Sequence, residues 1–164
     1  LREAHRLVGE SVSLVQIDGN EVIYISRISS QQSPAIEMEY GSRLPVFCSS
    51  SGRAILAQLD HEGAKDLLVS AERLQRTPYT ITDVDEILAM LPEIRRAGYA
   101  VNNQECFLGD LSIAAPIFNS CRDPIAAVNI SVGAARWKID EAKARCVPVV
   151  VEVAASISRM LKSV

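Results

Sequence analysis

The chain has 164 residues, of which 48% are hydrophobic, 23% charged and 5% aromatic. This length suits one domain with a full core, and the near-average composition argues against disorder, collagen-like repeats and coiled coils. The net charge is −3 and the isoelectric point is about 5.4, whereas nucleic-acid-binding domains usually carry a basic patch. We therefore expect that these residues alone do not hold DNA.

The distribution of apolar residues and cysteines narrows the class of protein further. The longest apolar stretches, such as residues 113–118, are far shorter than the roughly 18 residues of a membrane helix, so no membrane partner is expected. Cys48, Cys106, Cys121 and Cys146 are widely spaced, and only two histidines accompany them. This pattern favours a reduced, cytoplasmic protein without a disulfide framework, a metal site or a cofactor.

The beginning of the chain predicts a hairpin and a third strand. Polar and apolar residues largely alternate over residues 10–16, and a β-branched run occupies residues 22–28. Between them, Asp18-Gly19 tolerates the positive φ that a tight hairpin turn needs. A third short strand is expected at residues 35–40.

The middle of the chain predicts three helices, at residues 49–59, 61–69 and 82–98. Serine hydroxyls at the start of the first helix are suitable N-caps. Thr82 is the expected N-cap of the third helix, and Gly98 suits the left-handed position that follows its end.

The last part of the chain returns to strands and closes with a helix. Strands are expected at residues 99–104, 111–118 and 125–132, and a helix at residues 140–161. Hairpins at both ends of the chain imply a mainly antiparallel sheet with helices packed on it. The predicted fold class is therefore α+β.

The final hairpin carries the sharpest chemical signal. Because alternate residues of a strand face opposite sides of a sheet, each of its strands has one bulky apolar face and one face of small, partly polar side chains. Ser112, Asn129 and Ser131 lie on the small faces. If they share one side of the sheet, they leave room for a ligand with hydrogen-bonding groups. A simply solvated face is an equally good interpretation of the pattern alone.

A second candidate is the serine-rich stretch at residues 49–52, because the start of a helix favours anions. Serines at such positions more often only cap the helix. Catalysis has little support, since a serine or cysteine nucleophile needs a nearby base. The two histidines, His5 and His61, are far in sequence from Cys106 and from the serines. We expect no catalytic residue.

Six stretches together resemble the effector-binding domain of IclR-type transcriptional regulators. They are residues 9–14 (GESVSL), 43–57 (RLPVFCSSSGRAILA), 77–82 (TPYTIT), 94–105 (IRRAGYAVNNQE), 112–118 (SIAAPIF) and 126–132 (AAVNISV). Each is weak alone, but their succession covers essentially the whole chain. The resemblance implies a GAF-like fold, in which a six-stranded antiparallel sheet is flanked by helices. It also implies a small-molecule effector pocket on one side of that sheet.

The resemblance implies a domain organisation as well. Residues 1–164 would be a single effector-binding domain, and the winged helix-turn-helix domain that binds DNA would precede it in a longer protein. The absence of an initiator methionine and the helix-like start at Leu1 agree with this expectation. Such regulators bind DNA only through that domain and assemble as homodimers or homotetramers. The helices at the two ends of the chain are candidates for those contacts, although packing on the sheet is a simpler role for the last one.

The family's pocket positions fall on Ile36, Leu44, Ser50, Ser51, Asn102, Asp110, Ser112, Asn129 and Ser131. The resemblance implies that backbone amides at Ser50 and Ser51 hold an effector carboxylate. Asn102 stands where the family often has an acid, which weakens the case for charge-based recognition. Asp110 stands where some relatives have an apolar residue. It either turns to solvent or accepts hydrogen bonds from a hydroxylated ligand.

No lysine or arginine is among these positions, so a bound carboxylate would rest on amide N–H groups and neutral donors. A small organic acid is the expected effector, and its binding would change oligomer geometry and so DNA binding. Two alternatives stay open. One is a GAF-type thiol enzyme, such as a sulfoxide reductase that uses Cys48 or Cys106. It needs a reactive thiolate in electropositive surroundings, and no basic neighbours are evident in sequence around Cys106. The other is an oligomerisation module without a ligand.

Overall fold

The computed structural model describes residues 1–31 and 38–162. This part of the chain contains five helices and six strands. In chain order they are α1 (Arg2–Val8), β1 (Ser11–Asp18), β2 (Glu21–Ile28), β3 (Arg43–Pro45), α2 (Ser50–Leu56), α3 (His61–Ser70), α4 (Val84–Ala97), β4 (Ala100–Asn103), β5 (Asp110–Phe118), β6 (Pro124–Gly133) and α5 (Ile139–Leu161).

The strands of the described residues form one sheet in the order β3-β2-β1-β6-β5-β4, and every neighbouring pair is antiparallel. The predicted fold class, an α+β domain with a GAF-like six-stranded antiparallel sheet flanked by helices, is confirmed. Its order places the last hairpin, β5 and β6, between β1 and β4.

The predicted first hairpin is confirmed, with Gly19 at φ +61° in the turn between β1 and β2. The strand predicted at residues 35–40 is not found where the structure can test it. Residues 35–37 lie outside the described residues, and residues 38–40 are not in a strand. The third strand is instead the short β3, which pairs with β2.

The pairing of β1 with β2 contains a register shift that matters for the site. Val15 pairs with Tyr24, whereas Ser13 pairs with Arg27, so two steps along β1 correspond to three along β2. An extra residue of this kind reverses the alternation of side chains along the strand that carries it. Tyr24 and Arg27 therefore share a face of the sheet, although their spacing in a regular strand would separate them.

The helix ends follow local capping chemistry. The Ser49 side chain caps α2 by accepting from the backbone N–H of Gly52 at 3.1 Å, as expected for the serine-rich start. Asp83, not Thr82, caps α4, so the predicted N-cap was wrong by one residue. An aspartate is at least as good an acceptor as a threonine for the free N–H groups of a first turn. Gly98 closes α4 at φ 78°, as predicted.

Helices cover both faces of the sheet. On one face, α5 and α1 pack against bulky apolar side chains that include Val12, Ile113 and Ile130. On the other face, α2 lies against β4, β5 and β6, and α3 and α4 pack outside it. The C-terminal helix thus packs on the sheet, the simpler of the two roles considered for it, and a part in oligomer contacts stays a prediction. Within residues 1–31 and 38–162, no helix has the length and apolar character needed to cross a membrane.

Candidate functional site

The candidate site lies where the start of α2 meets the small faces of β5 and β6. In the hairpin, Ser112 pairs with Ser131 and Ala114 pairs with Asn129, so the predicted polar residues do share one side of the sheet. That side faces α2 and is not simply solvated, since Ser112 and Asn129 are buried. Ala54 of α2 packs directly on Ala114, and these small side chains let the helix approach the strands closely.

A cavity occupies the space between α2 and the sheet. Predicted positions that line it are Leu44, Ser50, Asn102, Asp110, Ser112, Asn129 and Ser131. The volume that the centre of a water molecule can occupy inside this cavity is about 20 Å³, which is room for about one water. An organic acid is several times larger, so a ligand of that class can enter only if the walls move apart.

Two predicted positions stand apart from this set. Ser51 is buried, but it is not among the residues that line the cavity, and its hydroxyl has no hydrogen-bond partner in the described part of the chain. The role expected for its backbone amide stays a prediction. Ile36 lies outside the described residues.

A polar network crosses the cavity wall from helix to sheet. The Ser50 hydroxyl lies 2.9 Å from that of Ser112 and accepts a hydrogen bond from Asn129 Nδ2, also at 2.9 Å. Asn129 Oδ1 is buried without a hydrogen-bond partner among residues 1–31 and 38–162. Buried polar atoms are nearly always satisfied, so this oxygen calls for a donor from a water or a ligand.

Asp110 supplies the strongest acceptor of the cavity. It is 9% exposed, which excludes the solvent-facing alternative, and Ser131 Oγ donates to its Oδ1 at 2.9 Å. Burial raises the pKa of this carboxyl to about 6, although the Ser131 hydrogen bond and the charge of Arg27 act in the opposite direction. Near neutral pH the group is therefore largely ionised and accepts hydrogen bonds.

None of the predicted pocket positions is basic, but the cavity has a basic residue that was not among them. Arg27 lines the cavity, and its Nη1 donates to Ser13 Oγ at 3.1 Å. Tyr24 lines the cavity beside it, and burial raises the pKa of its phenol above the ordinary value, so it remains a neutral donor. Both residues reach this face because of the register shift in β2. Met38, Phe107 and Cys106, which sequence reasoning also did not place here, complete this part of the wall.

Asn102 lines the cavity, but its amide is used by the backbone on both sides. Its Nδ2 donates to the carbonyl of Cys48, and its Oδ1 accepts from the backbone N–H of Glu105 at 3.0 Å. An ionised acid at this position could not donate to the Cys48 carbonyl. Asn102 thus connects the two turns that border the site.

A buried ion pair fixes the same two turns. Arg53 of α2 binds Glu105 through both terminal nitrogens, at 2.5 and 2.6 Å, and its Nε donates to the carbonyl of Phe47 at 2.8 Å. The Arg53 side chain is 1% exposed. Gly52 allows the approach that this arrangement needs, because a Cβ there would lie 2.3 Å from the Cα of Val46.

Two of the cysteines meet at the edge of the cavity, contrary to the expectation of scattered thiols. The Sγ atoms of Cys48 and Cys106 are 3.3 Å apart, and both residues are buried. The contact with the Cys106 sulfur and the charges of Arg76 and Arg53 lower the pKa of Cys48, whereas the same contact and burial raise the pKa of Cys106. Basic neighbours are therefore present, and Arg76 Nε donates to the Cys106 carbonyl at 3.4 Å.

The family model described as "Bacterial transcriptional regulator IclR C-terminal" matches residues 1–159 of the chain. The chain belongs to the IclR family of bacterial transcriptional regulators. It corresponds to their C-terminal effector-binding domain. The curated relatives that this IclR domain matches are transcriptional regulators, such as the "HTH-type transcriptional regulator KdgR" of Escherichia coli, which is 31% identical over 137 residues. That match covers 84% of this chain and 52% of KdgR, so the chain spans about half the length of its curated relatives.

Solved structures of the family share the fold. The IclR protein of Thermotoga maritima superimposes with a TM-score of 0.93 at 32% identity, over 99% of this chain and 65% of that one. The inducer-binding domain of an Acinetobacter PobR double mutant, solved as a complex with 3-hydroxybenzoic acid, superimposes with a TM-score of 0.86 at 27% identity. That match covers 98% of this IclR domain and 94% of the PobR chain.

Proposed function

We propose that this IclR domain senses a small organic acid in the cavity between α2 and the β5–β6 hairpin. The observation that carries the proposal is the convergence, around one cavity, of the binding positions expected from the sequence with a cation that was not expected, Arg27. A few polar groups that converge on one cleft are a usual feature of ligand sites.

The charges of the cavity suggest how such an acid is held. Arg27 offers a positive charge to a carboxylate, and backbone N–H groups where α2 begins, at Ser50 and Ser51, are the family's expected partners for the same group. Asp110 and the unpaired Asn129 Oδ1 both accept hydrogen bonds, so they favour a ligand that also carries a hydroxyl. The PobR domain, which was solved with a hydroxylated benzoic acid, supports this class.

The size of the cavity suggests how binding becomes a signal. A cavity with room for about one water must expand before it accepts an organic acid. The acid therefore favours an open arrangement of α2, the sheet and the adjoining turns over the closed one. In the full-length protein, which we expect to be a cytoplasmic homodimer or homotetramer, this change would alter the spacing of the N-terminal DNA-binding domains.

A matched panel of ligands tests the proposal. We expect 3-hydroxybenzoate to raise the melting temperature of the purified chain more than benzoate does, because only 3-hydroxybenzoate has a hydroxyl that can donate to Asp110 or to Asn129 Oδ1 in addition to a carboxylate near Arg27. The uncharged analogue 3-hydroxybenzamide should have the smallest effect. An aliphatic pair, such as 3-hydroxybutyrate and butyrate, extends the test to non-aromatic acids. Equal shifts with acids and amides, or none with any acid, would contradict the proposal.

The competing functions predict different results with the same protein. An oligomerisation module without a ligand would assemble normally and show no shift with any compound. A thiol enzyme would reduce methionine sulfoxide with multiple turnovers in the presence of a thiol reductant, and replacing all four cysteines would abolish that turnover. The regulatory relatives favour sensing over both.

A further inference from the structure

Two thiols that are 58 positions apart in sequence are brought together by the turns beside the cavity. Cys48 lies in the turn before α2, and Cys106 lies between β4 and β5 and lines the cavity. The sulfur atoms are 3.3 Å apart, whereas a disulfide bond is about 2.05 Å long. Bond formation thus requires the sulfurs to approach by about 1.3 Å, a movement that side-chain rotation in two turns can supply.

We propose that Cys48 and Cys106 form a redox site that hydrogen peroxide oxidises to an intramolecular disulfide. The other two cysteines lie in other parts of the fold. Cys121 is exposed in the β5–β6 turn, and Cys146 is on the buried side of α5, on the opposite face of the sheet. These two residues therefore serve as matched controls for the pair.

The two sulfurs have distinct parts in the reaction. Cys48, whose pKa is lowered by its contact with the Cys106 sulfur and by the charges of Arg76 and Arg53, is the attacking thiolate. Its sulfur displaces hydroxide from hydrogen peroxide, so the O–O bond breaks and a sulfenic acid forms. The Cys106 sulfur then attacks the Cys48 sulfur and loses its proton as water leaves. In total, two thiols lose two electrons to one peroxide, and two waters are produced.

The dimensions of the cavity select the oxidant. Cys106 lines a space with room for about one water, and the Cys48 sulfur is 3.3 Å from the Cys106 sulfur. Hydrogen peroxide is little larger than water and can enter after a small displacement of the wall. Glutathione disulfide and bulky organic hydroperoxides cannot, so the site is expected to discriminate strongly by size.

The disulfide would also affect ligand binding, a consequence that rests on the proposed function. The bond joins the turn that leads to Ser50 with the turn that carries Cys106 and Phe107, and both turns contribute to the cavity wall. Since an organic acid must separate these walls, a covalent link between them would oppose binding. Oxidised protein should therefore show a smaller melting-temperature shift with 3-hydroxybenzoate than reduced protein.

Thiol counting on the reduced, purified chain tests the proposal without any effector. After treatment with hydrogen peroxide and denaturation, the alkylatable thiols should fall from four to two. Peptide mapping should find Cys48 linked to Cys106, and dithiothreitol should restore all four thiols. Cys121→Ser should still lose two thiols, whereas Cys106→Ser should form no intramolecular link. Glutathione disulfide at the same concentration should leave the count at four.

Several outcomes would overturn the proposal. They are a count that stays at four after peroxide, a disulfide that joins Cys121 instead, and oxidation of Cys48 that stops at the sulfinic acid with Cys106 unmodified. The peptide map of the unmutated chain decides among them even if a cysteine variant does not fold. A normal disulfide with no response to any acid would refute the proposed effector alone and leave the redox site standing.

Discussion

The two faces of the sheet are built on different principles. The face under α5 buries bulky apolar side chains, such as Ile113 and Ile130, against Val150 of the helix. The face under α2 also has an apolar cluster, which includes Val15 and Phe47, but beside β5 and β6 it buries hydroxyls, amides and the carboxyl of Asp110 around a small cavity. Since adjacent residues of β5 alternate between the faces, one strand serves both purposes.

This contrast indicates a division of labour between stability and binding. Apolar burial under α5 contributes free energy without any need for partners. Polar burial under α2 contributes little net stability and fixes the position of each group. The unpaired Asn129 oxygen and the burial of the Asp110 carboxyl, which raises its pKa, both reduce the stability of the fold. An apolar core has no such groups. We therefore expect substitutions under α5 to affect mainly stability, and substitutions under α2 to affect mainly binding.

The largest effect is expected at the ion pair that braces the cavity face. Glu105→Gln should lower the free energy of unfolding by about 3 to 5 kcal/mol, because it leaves the charge of Arg53 buried without a counterion. Urea denaturation measures this change. As a control, Glu152→Gln breaks the exposed pair with Arg159 and should cost at most about 1 kcal/mol. Equal effects of the two substitutions would show that the buried pair does not brace the fold.

Neighbouring residues of β5 give the cleanest comparison of the two faces. Ile113→Ala should destabilise the protein by about 3 kcal/mol, because it opens a void against α5. Ser112→Ala, one position away, should cost only about 1 kcal/mol, since it removes the hydrogen bond to Ser50 with little change in volume. Urea denaturation of both variants checks the order. A reversed order would mean that the α2 face carries the stability.

The pH dependence of stability should report on Asp110. Its pKa in the folded protein, about 6, is above the ordinary value of 3.8, so between these pH values the folded state binds more protons than the unfolded state. Stability should therefore fall as the pH rises through this window, by at most about 3 kcal/mol, and then level off. Asp110→Asn removes the titrating group. The difference in unfolding free energy between the two proteins should change across that window and be constant above it.

A pH-independent difference, or one that increases in favour of the unmutated protein as the pH rises, would contradict the burial of this carboxyl. Thr77 is not among the residues that line the cavity, and its hydroxyl bonds with its own turn and with the backbone carbonyls of Gln104 and Glu105. Thr77→Val therefore serves as a control that alters buried polarity without removing a titrating group.

The sequence allowed some parts of the site to be predicted and hid others. The alternation of β5 and β6 placed Ser112, Asn129 and Ser131 on one side, because side-chain period in a strand is a local property. Arg27 was missed because an extra residue in β2 reverses that period, and nothing in the sequence marks it. The contact of Cys48 with Cys106 depends on how two distant turns pack, which local patterns do not encode.

The helices and strands show the same difference between local signals, which the sequence displays, and packing, which it does not. Hairpins and the long final helix were predicted well, since turn residues and apolar periodicity are local signals. The N-cap of α4 was misplaced by one residue because Thr82 and Asp83 are both good caps. The small volume of the cavity could not be foreseen either, because it depends on how closely Ala54 lets α2 approach the sheet.

Calorimetric titration of 3-hydroxybenzoate into the purified chain and two Ser131 variants tests the central claim most directly. Ser131→Leu fills the cavity beside Asp110, whereas Ser131→Ala removes the same hydroxyl without filling it. We predict measurable binding to the unmutated chain, weaker binding to Ser131→Ala and none to Ser131→Leu, with all three folded by circular dichroism. Undiminished binding to Ser131→Leu would place the acid elsewhere on the domain and contradict the assignment of this cavity as the effector site.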